Sequence, residues 1–390
     1  MLRRADCVKC KGRFCDGMRK CPIMQKVRAQ STVNTQAKQE FSGTTPNLFV
    51  GRFGYPHVQV GLLTAEQLSG QDSPKEWVRQ KKSIQDVINY RTQLINSNVK
   101  TSVHKLQNKI VEMSQEVALA KKPAEIEVSL SKKPSFKISL HQHAAPHGPN
   151  VELRKARFTQ NVKIDQRVEK VVDDDLLATE QIKKLSRRVD EYELTKMFSA
   201  GLLGKDQKIV PTRWSITAVD DTLGKQYIKE VRDFPFGDYE LYMGSHLGNY
   251  YFILCFPEPF RYELFETLVG DVMSFAHDYE SAKGRTTYAQ ETAGGYYATR
   301  LAVLERQKKN KRQQGVLALR FITDEYWAPL GVWVVREASR NAMQGKPLRF
   351  DDKETMLRFV EELVKKRWKM NVKKLYAQSK VLKEKTLFDF

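Results

Sequence analysis

Apolar residues recur along this chain with two distinct periods. Between Val103 and Ala120, the residues Val103, Leu106, Ile110, Met113 and Val117 follow one another at spacings of three and four, which places them on one face of an amphipathic helix. Met356, Leu357, Val360, Leu363, Val364 and Trp368 do the same inside 353–377 and predict a C-terminal helix. A further helical run covers Thr299 to Gln307, and Asp173 to Leu203 reads as helix, opening on three consecutive aspartates that suit a helix N-terminus. Ser73 and Pro74 have the residue types of a helix cap and first helical position. Other stretches lack the helical period. Gly315 to Thr323 (GVLALRFIT) and Leu330 to Val335 (LGVWVV) are β-branched or aromatic and bounded by Gly or Pro, so they predict buried strands. The aromatic-rich region Tyr239 to Phe260 is also strand-like, and TRWSITAV after Pro211 predicts a strand ending at Asp220 and Asp221. Leu48, Val50, Phe53, Val58 and Val60 predict two short strands joined by a Gly54-Tyr55-Pro56 turn, with Arg52, Tyr55 and His57 beside it.

Together these elements predict an α+β protein with a large mixed core. The densest stretch runs from Lys283 to Met343 and includes a Gly294-Gly295 turn. At 390 residues and 41% hydrophobic content the chain can bury a sizeable core. No apolar run approaches the about 20 residues needed to span a bilayer, and the basic N-terminus lacks the apolar segment of a signal peptide, so a cytoplasmic location is expected. The expected organisation is a cysteine knuckle over 1–29, a polar linker over 30–46, an N-terminal part of the core over 47–150, the main core over 151–350, a basic helix over 351–380 and a flexible tail over 381–390.

Charge changes this picture. The formal net charge is +20, and residues 1–30 together with 361–390 carry +12 of it. A basic surface of this kind favours polyanions through counterion release, which points to DNA. Lys308, Lys309, Lys311 and Arg312, with Arg306, form one cluster, and Lys365, Lys366, Arg367 and Lys369 form another on the polar side of the C-terminal helix. Both are candidate phosphate contacts.

Four of the five cysteines fall at Cys7, Cys10, Cys15 and Cys21, a C-x2-C-x4-C-x5-C spacing. Four thiolates on short loops suit a tetrahedral Zn2+, and the neighbouring Lys and Arg residues offset their charge. A 4Fe-4S cluster is the alternative, since Pro22 directly follows the last cysteine. The fifth, Cys255 in YYFILCF, is expected to be a buried thiol. His141, His143 and His147 lie in a Pro-punctuated stretch that reads as a loop rather than a metal site. Asp220 and Asp221 make either a turn or, with Asp238 or Glu240, a site for metal-assisted phosphoryl transfer such as a nuclease uses. Glu291, Tyr296, Tyr297, Arg300 and Glu337 interrupt apolar sequence, so Arg300 is expected to pair with Glu291 or Glu337. No phosphate-loop, nucleophile-elbow or zinc-protease motif is present.

The last residues, Glu384-Lys385-Thr386-Leu387-Phe388-Asp389-Phe390, place three large apolar side chains on a segment with no core to join. They resemble the peptide that docks on sliding clamps, in which an aliphatic residue and an aromatic three positions later, here Leu387 and Phe390, share one face of a short turn. Glu384 stands where that peptide usually has glutamine. With the four-cysteine knuckle and the segments FVGRFGYPHVQVG, PTRWSITAVDD and ETAGGYYATRLAVLERQKKNKRQQGVLALRFITDEYWAPLGVWVVRE, the whole chain resembles the archaeal Nre family of DNA-repair proteins. That resemblance implies a zinc finger at the four cysteines, a sliding-clamp (PCNA) interaction through the tail and a part in DNA damage repair. It implies no reaction assignable to residues.

Overall fold

The computed structural model describes residues 38–67, 72–135, 148–270 and 274–384. It is an α+β protein, 38% helical and 27% strand. The chain divides into two compact units, one formed by residues up to 219 together with 328–330, the other by 220–327 and 331–390.

In the first unit, β1 (Glu40–Val50), β2 (His57–Ala65), α1 (Pro74–Arg79), α2 (Ile84–Gln93), β3 (Ile95–Ser102), α3 (Lys109–Leu119), β4 (Ala124–Leu130) and β5 (Asn150–Phe158) precede four helices, α4 (Gln166–Val172), α5 (Ala178–Leu185), α6 (Glu191–Ser199) and α7 (Thr212–Val231). The five strands close into a barrel in the order β1-β2-β3-β5-β4, with β4 pairing back to β1. Every pairing is antiparallel except β3 with β5. A five-stranded barrel of this order, with a helix inserted between β3 and β4, has the topology of an OB-fold. Leu48, Val50, Val58, Val60, Leu62, Ile126, Val128 and Val151 alternate into its core. The amphipathic helix read over 103–120 is α3, which starts six residues later at Lys109, because Asn108 caps it through an Oδ1 that accepts from the Ile110 N–H at 3.1 Å.

Polar composition misleads over residues 40–46. Read as linker, they form the first half of β1, where Phe41 is buried and Thr45 shares a 2.7 Å hydroxyl hydrogen bond with Thr64. Asp173 to Leu203 is not one helix, and its three aspartates fall between α4 and α5. TRWSITAV is helix rather than strand. It is the start of α7, and the division between the two units falls inside that helix, between Val219 and Asp220, rather than near residue 150.

The second unit contains β6 (Tyr239–His246), β7 (Asn249–Phe256), β8 (Tyr262–Leu268), β9 (Phe275–Glu280), α8 (Ala293–Asn310), β10 (Gly315–Ile322), α9 (Val332–Gln344), β11 (Leu348–Phe350), α10 (Lys353–Trp368), α11 (Lys373–Tyr376) and α12 (Lys380–Lys383). Its six strands run in the order β11-β6-β7-β10-β8-β9. Here β10, covered on both sides, is apolar except for buried Arg320, which donates to Asn249 and Glu266. Tyr251, Ile253, Cys255, Val316 and Ala318 face α8 and α9, while Phe252, Leu254, Phe256, Leu317 and Phe321 face α10, α11 and α12. Leu330 to Val335, predicted as a strand, instead opens α9, whose buried residues Val334, Val335, Ala338 and Ala342 repeat with helical spacing. Gly294 and Gly295 do not form a turn. Both lie in the first turn of α8, where a Cβ at Gly294 would come within 2.6 Å of Val332 Cγ2. The predicted C-terminal helix ends early, at Trp368, where Lys369 takes a left-handed φ of 56°. Among the described residues, no helix is long and apolar enough to cross a membrane.

Asp278 anchors α8 to the sheet edge. Its carboxylate accepts from the backbone N–H groups of Gln290, Glu291 and Thr292 and from the Thr292 hydroxyl, with Arg285 at 2.9 Å. Burial pushes its pKa up, but the donors from Thr292 and Gln290 and the Arg285 charge hold it below the ordinary carboxylate value. Its stabilising contribution is therefore full above about pH 4 and is lost as pH falls through the lowered value. Asp278→Asn should cost about 2–4 kcal/mol at neutral pH, since donors are left facing an amide. Denaturation of wild type and variant across acid pH checks this: the gap should shrink below about pH 4, and a gap that stays constant would count against the assignment.

Candidate nucleic-acid interface

The predicted phosphate contacts divide into two groups that the fold keeps apart. Lys309, Lys311 and Arg312 are exposed at the end of α8, whereas Lys308 is tied down, its Nζ 2.8 Å from Glu230 Oε2 and 4.4 Å from the centre of the Tyr227 ring. Lys365, Lys366 and Arg367 are exposed in the last turn of α10, followed by Lys369 at its cap. The Arg367 guanidinium lies 4.2 Å from the Tyr250 ring centre. Because α8 and α10 pack on opposite faces of the sheet, the clusters do not merge into one patch. Their positions at helix C-termini also complement the helix dipoles.

The acidic residues that suggested phosphoryl chemistry are committed elsewhere. Asp220 and Asp221 form no turn; they are consecutive residues of α7 and point to different partners. Both Asp220 oxygens accept from Arg336 Nη2, at 2.7 and 2.6 Å, with Asp220 fully buried. Asp221 accepts from Arg300 at 2.6 Å and from Lys225 at 2.7 Å. Arg300 does not pair with Glu291 or Glu337: its second partner is Glu280, at 2.6 Å, which also accepts from the Tyr296 hydroxyl at 2.6 Å. Glu337 lies 3.3 Å from Arg340, and Glu291 accepts from the His277 N–H. The pairing follows from β9, on which Asp278 and Glu280, two residues apart, point to the same side toward α8. Burial alone would lower the Arg300 pKa, but Glu280, Tyr296 and Asp221 more than reverse this and hold it raised. Glu240 accepts from the Tyr242 hydroxyl at 3.0 Å, and Asp238 is exposed beside Arg349. Among the described residues no group of three or more His, Cys, Asp or Glu side chains is arranged to hold a metal ion. An arginine-neutralised carboxylate offers a cation little net charge, so the geometry is that of a structural network. Cys255 is buried as expected, and burial pushes its thiol pKa up.

Near the C-terminus the fold fixes the root of the predicted docking tail. Buried Glu263 accepts from the Ser379 hydroxyl at 2.6 Å and from the N–H groups of Lys380 and Val381, which pins the first turn of α12 to β8. Glu384, placed by the sequence in the docking peptide, is held by the core. Its carbonyl accepts from Arg261 at 2.9 Å and its carboxylate from the Tyr279 hydroxyl. Lys385, Thr386, Leu387, Phe388, Asp389 and Phe390 lie outside the described residues, as do Cys7, Cys10, Cys15, Cys21, His141, His143 and His147.

On the barrel, the β1–β2 turn exposes aromatic rings. Phe53 is 82% exposed, with the Arg52 guanidinium 5.1 Å from its ring centre. Tyr55 lies 5.1 Å, ring centre to ring centre, from Trp214, and both are about half exposed. Gly54 makes the turn possible through its φ of 82°. His57 begins β2 on the outer face, next to Gln59 and, across the strand pair, Lys100. Sequence reading brought Arg52, Tyr55 and His57 together at this turn, but missed Trp214, which it assigned to a strand. A tryptophan flanked by basic and hydroxyl residues rather than by apolar ones was the available clue.

Two family descriptions cover the chain: Archaeal Nre, N-terminal, over residues 14–272, and Archaeal Nre, C-terminal, over 280–390. Among named relatives, DNA repair protein NreA of Haloferax volcanii is 36% identical over 342 residues, covering 82% of this chain and 81% of that protein. DNA repair protein NreB of Archaeoglobus fulgidus is 33% identical over 402 residues, 99% of this chain and 100% of that protein. NreA of the same organism is 34% identical over 361 residues, covering 88% and 90%. No solved structure matches. With both halves of the sequence matched and one relative aligned along its whole length, the chain belongs to the archaeal Nre family.

Proposed function

We propose that this protein acts in DNA repair, recruited to DNA through the sliding clamp PCNA by its C-terminal peptide, with a zinc finger and basic surfaces adding DNA contacts. The observation that carries the repair role is the full-length similarity to the DNA repair protein NreB. Leu387 and Phe390, three residues apart, have the spacing and residue types of a clamp-docking turn. Glu384, held by Arg261 and Tyr279, would serve as the fixed root from which that peptide projects. Tethering to a clamp raises the effective concentration of weak, sequence-independent phosphate contacts from Lys309, Lys311, Arg312, Lys365, Lys366, Arg367 and Lys369. The arginine-paired state of Asp220 and Asp221 gives the nuclease alternative no observation in its favour.

Isothermal titration of the clamp from the same organism into this protein tests recruitment. Leu387→Ala and Phe390→Ala should each weaken binding at least about tenfold, as truncation of a buried anchor does; equal affinity for wild type and both variants would sink the docking assignment. For Cys7, Cys10, Cys15 and Cys21, the donor set of four thiolates suits Zn2+, which would fold the surrounding short loops around it. Metal analysis of the purified protein should find about one zinc per chain, lost in Cys7→Ser and Cys10→Ser. Iron with acid-labile sulfide in its place would favour the 4Fe-4S alternative.

A further inference from the structure

We propose that the β1–β2 turn of the barrel and the strip of β2 and β3 beside it form a stacking platform for single-stranded nucleic acid. The proposal rests on the DNA-repair reading above and names a substrate form for it. Three observations converge on this surface.

The first is the fold. Barrels of this strand order present the turn between their first two strands, and the outer face of strands 2 and 3, to oligonucleotides and oligosaccharides. The second is the side chains found there. Phe53 is the most exposed large apolar residue described, and Tyr55, two residues further along the turn, has its ring centre 5.1 Å from that of Trp214. A lone exposed aromatic is ordinary, whereas several rings gathered on one turn mark a contact surface. Trp214 comes from α7, far from the turn in sequence, so tertiary packing assembles the group. The third is charge. Residues 47–65, 95–105 and 207–219, which build the turn, the strip and the start of α7, contain no Asp or Glu. Arg52, Lys100 and Arg213 are exposed within them. The strands that flank this surface are mixed in charge: exposed Glu125 lies on β4, and on β5 exposed Glu152, opposite Asn98 of β3, is followed by exposed Arg154 and Lys155.

Aromatic rings bind nucleic acid by stacking on base faces, and every base has such a face, so the platform is tolerant of sequence. In a duplex those faces are already stacked on their neighbours. A free strand offers them at once, while exposed Arg52 and Lys100, on segments that carry no acid, can meet its phosphates. Oligosaccharides also stack on aromatics, but they bring no charge to match Arg52, Lys100 and Arg213. Single-stranded nucleic acid is therefore the occupant this surface fits.

Fluorescence anisotropy of the full chain with a labelled oligothymidylate of about 15 nucleotides, a length within the range an OB-fold covers, tests the proposal against a duplex of equal length. The single strand should bind more tightly than the duplex. Phe53→Ala should weaken single-strand binding by about five- to a hundredfold, and Phe53→Trp should retain it. Since Phe53 is 82% exposed, the variant should unfold at the wild-type temperature, which separates lost contact from lost structure. Tyr55→Ala provides a second, independent variant on the same turn. Unchanged affinity in both alanine variants, or equal affinity for duplex and single strand, would overturn the platform. Clamp titration on the same preparations keeps the two readings distinct. If the clamp binds while no ring-dependent single-strand binding is found, the platform falls and recruitment stands; ring-dependent binding without clamp binding overturns recruitment and leaves the platform standing.

Discussion

Two buried arginines hold the second unit together. Arg300 on α8 and Arg336 on α9 reach adjacent carboxylates, Asp221 and Asp220, on α7, and Arg300 also grips Glu280 on the edge strand β9. Three helices and the sheet thus meet through charges that are largely withdrawn from water, with Asp221 about a quarter exposed. Such an arrangement is asymmetric in energy. Replacing a whole buried pair by well-packed apolar groups can be nearly neutral, whereas removing one partner typically costs about 3–5 kcal/mol, because it strands the other charge. The network therefore acts more as a device for registering helices against the sheet than as a large net source of stability. Tyr296 and Tyr297, whose rings flank Arg300 at 5.5 and 5.4 Å, complete its surroundings.

This constraint also separates the structural from the functional residues. Carboxylates answered by arginine in a closed core do not face a substrate, and the groups free to meet one are on surfaces. Those surfaces have different chemistry. The lysines and arginines at the ends of α8 and α10 are point charges suited to phosphates of any sequence. The barrel turn instead combines rings with a few cations, a chemistry that distinguishes bases exposed in a single strand from those paired in a duplex. A DNA-repair protein meets both forms of DNA.

Elements whose local pattern agreed with their final burial were legible beforehand. Gly315 to Thr323 read as a buried strand because β10, Gly315–Ile322, is covered on both faces. The positions Met356, Val360 and Val364 read as a helix because only one side of α10 is buried. Errors arose where a short run of β-branched and aromatic residues opens a helix. TRWSITAV and LGVWVV both contain residues that favour strands, yet both begin helices: LGVWVV is largely buried, so no polar face marks a helical period, while TRWSITAV, with Arg213 and Trp214 exposed, is too short a window for the period to show. The reverse error put residues 40–46 in a linker, since barrel strands pair threonine with threonine and need little apolar content.

The sequence by itself determined the α+β class, the excess of positive charge, the family, and the spacing of the four N-terminal cysteines and of the last apolar residues, since these depend on composition and short spacings along one segment. Only the tertiary structure decided which charges are answered inside the core and which face solvent. Asp220 and Asp221 look the same in sequence as a pair of catalytic carboxylates, and it is the arrival of Arg336 and Arg300 from distant helices that neutralises them. Trp214 joins Tyr55 only because α7 packs beside the barrel turn. Contacts between residues so far apart along the chain are set by the packing of whole elements, and no local pattern of side chains encodes them.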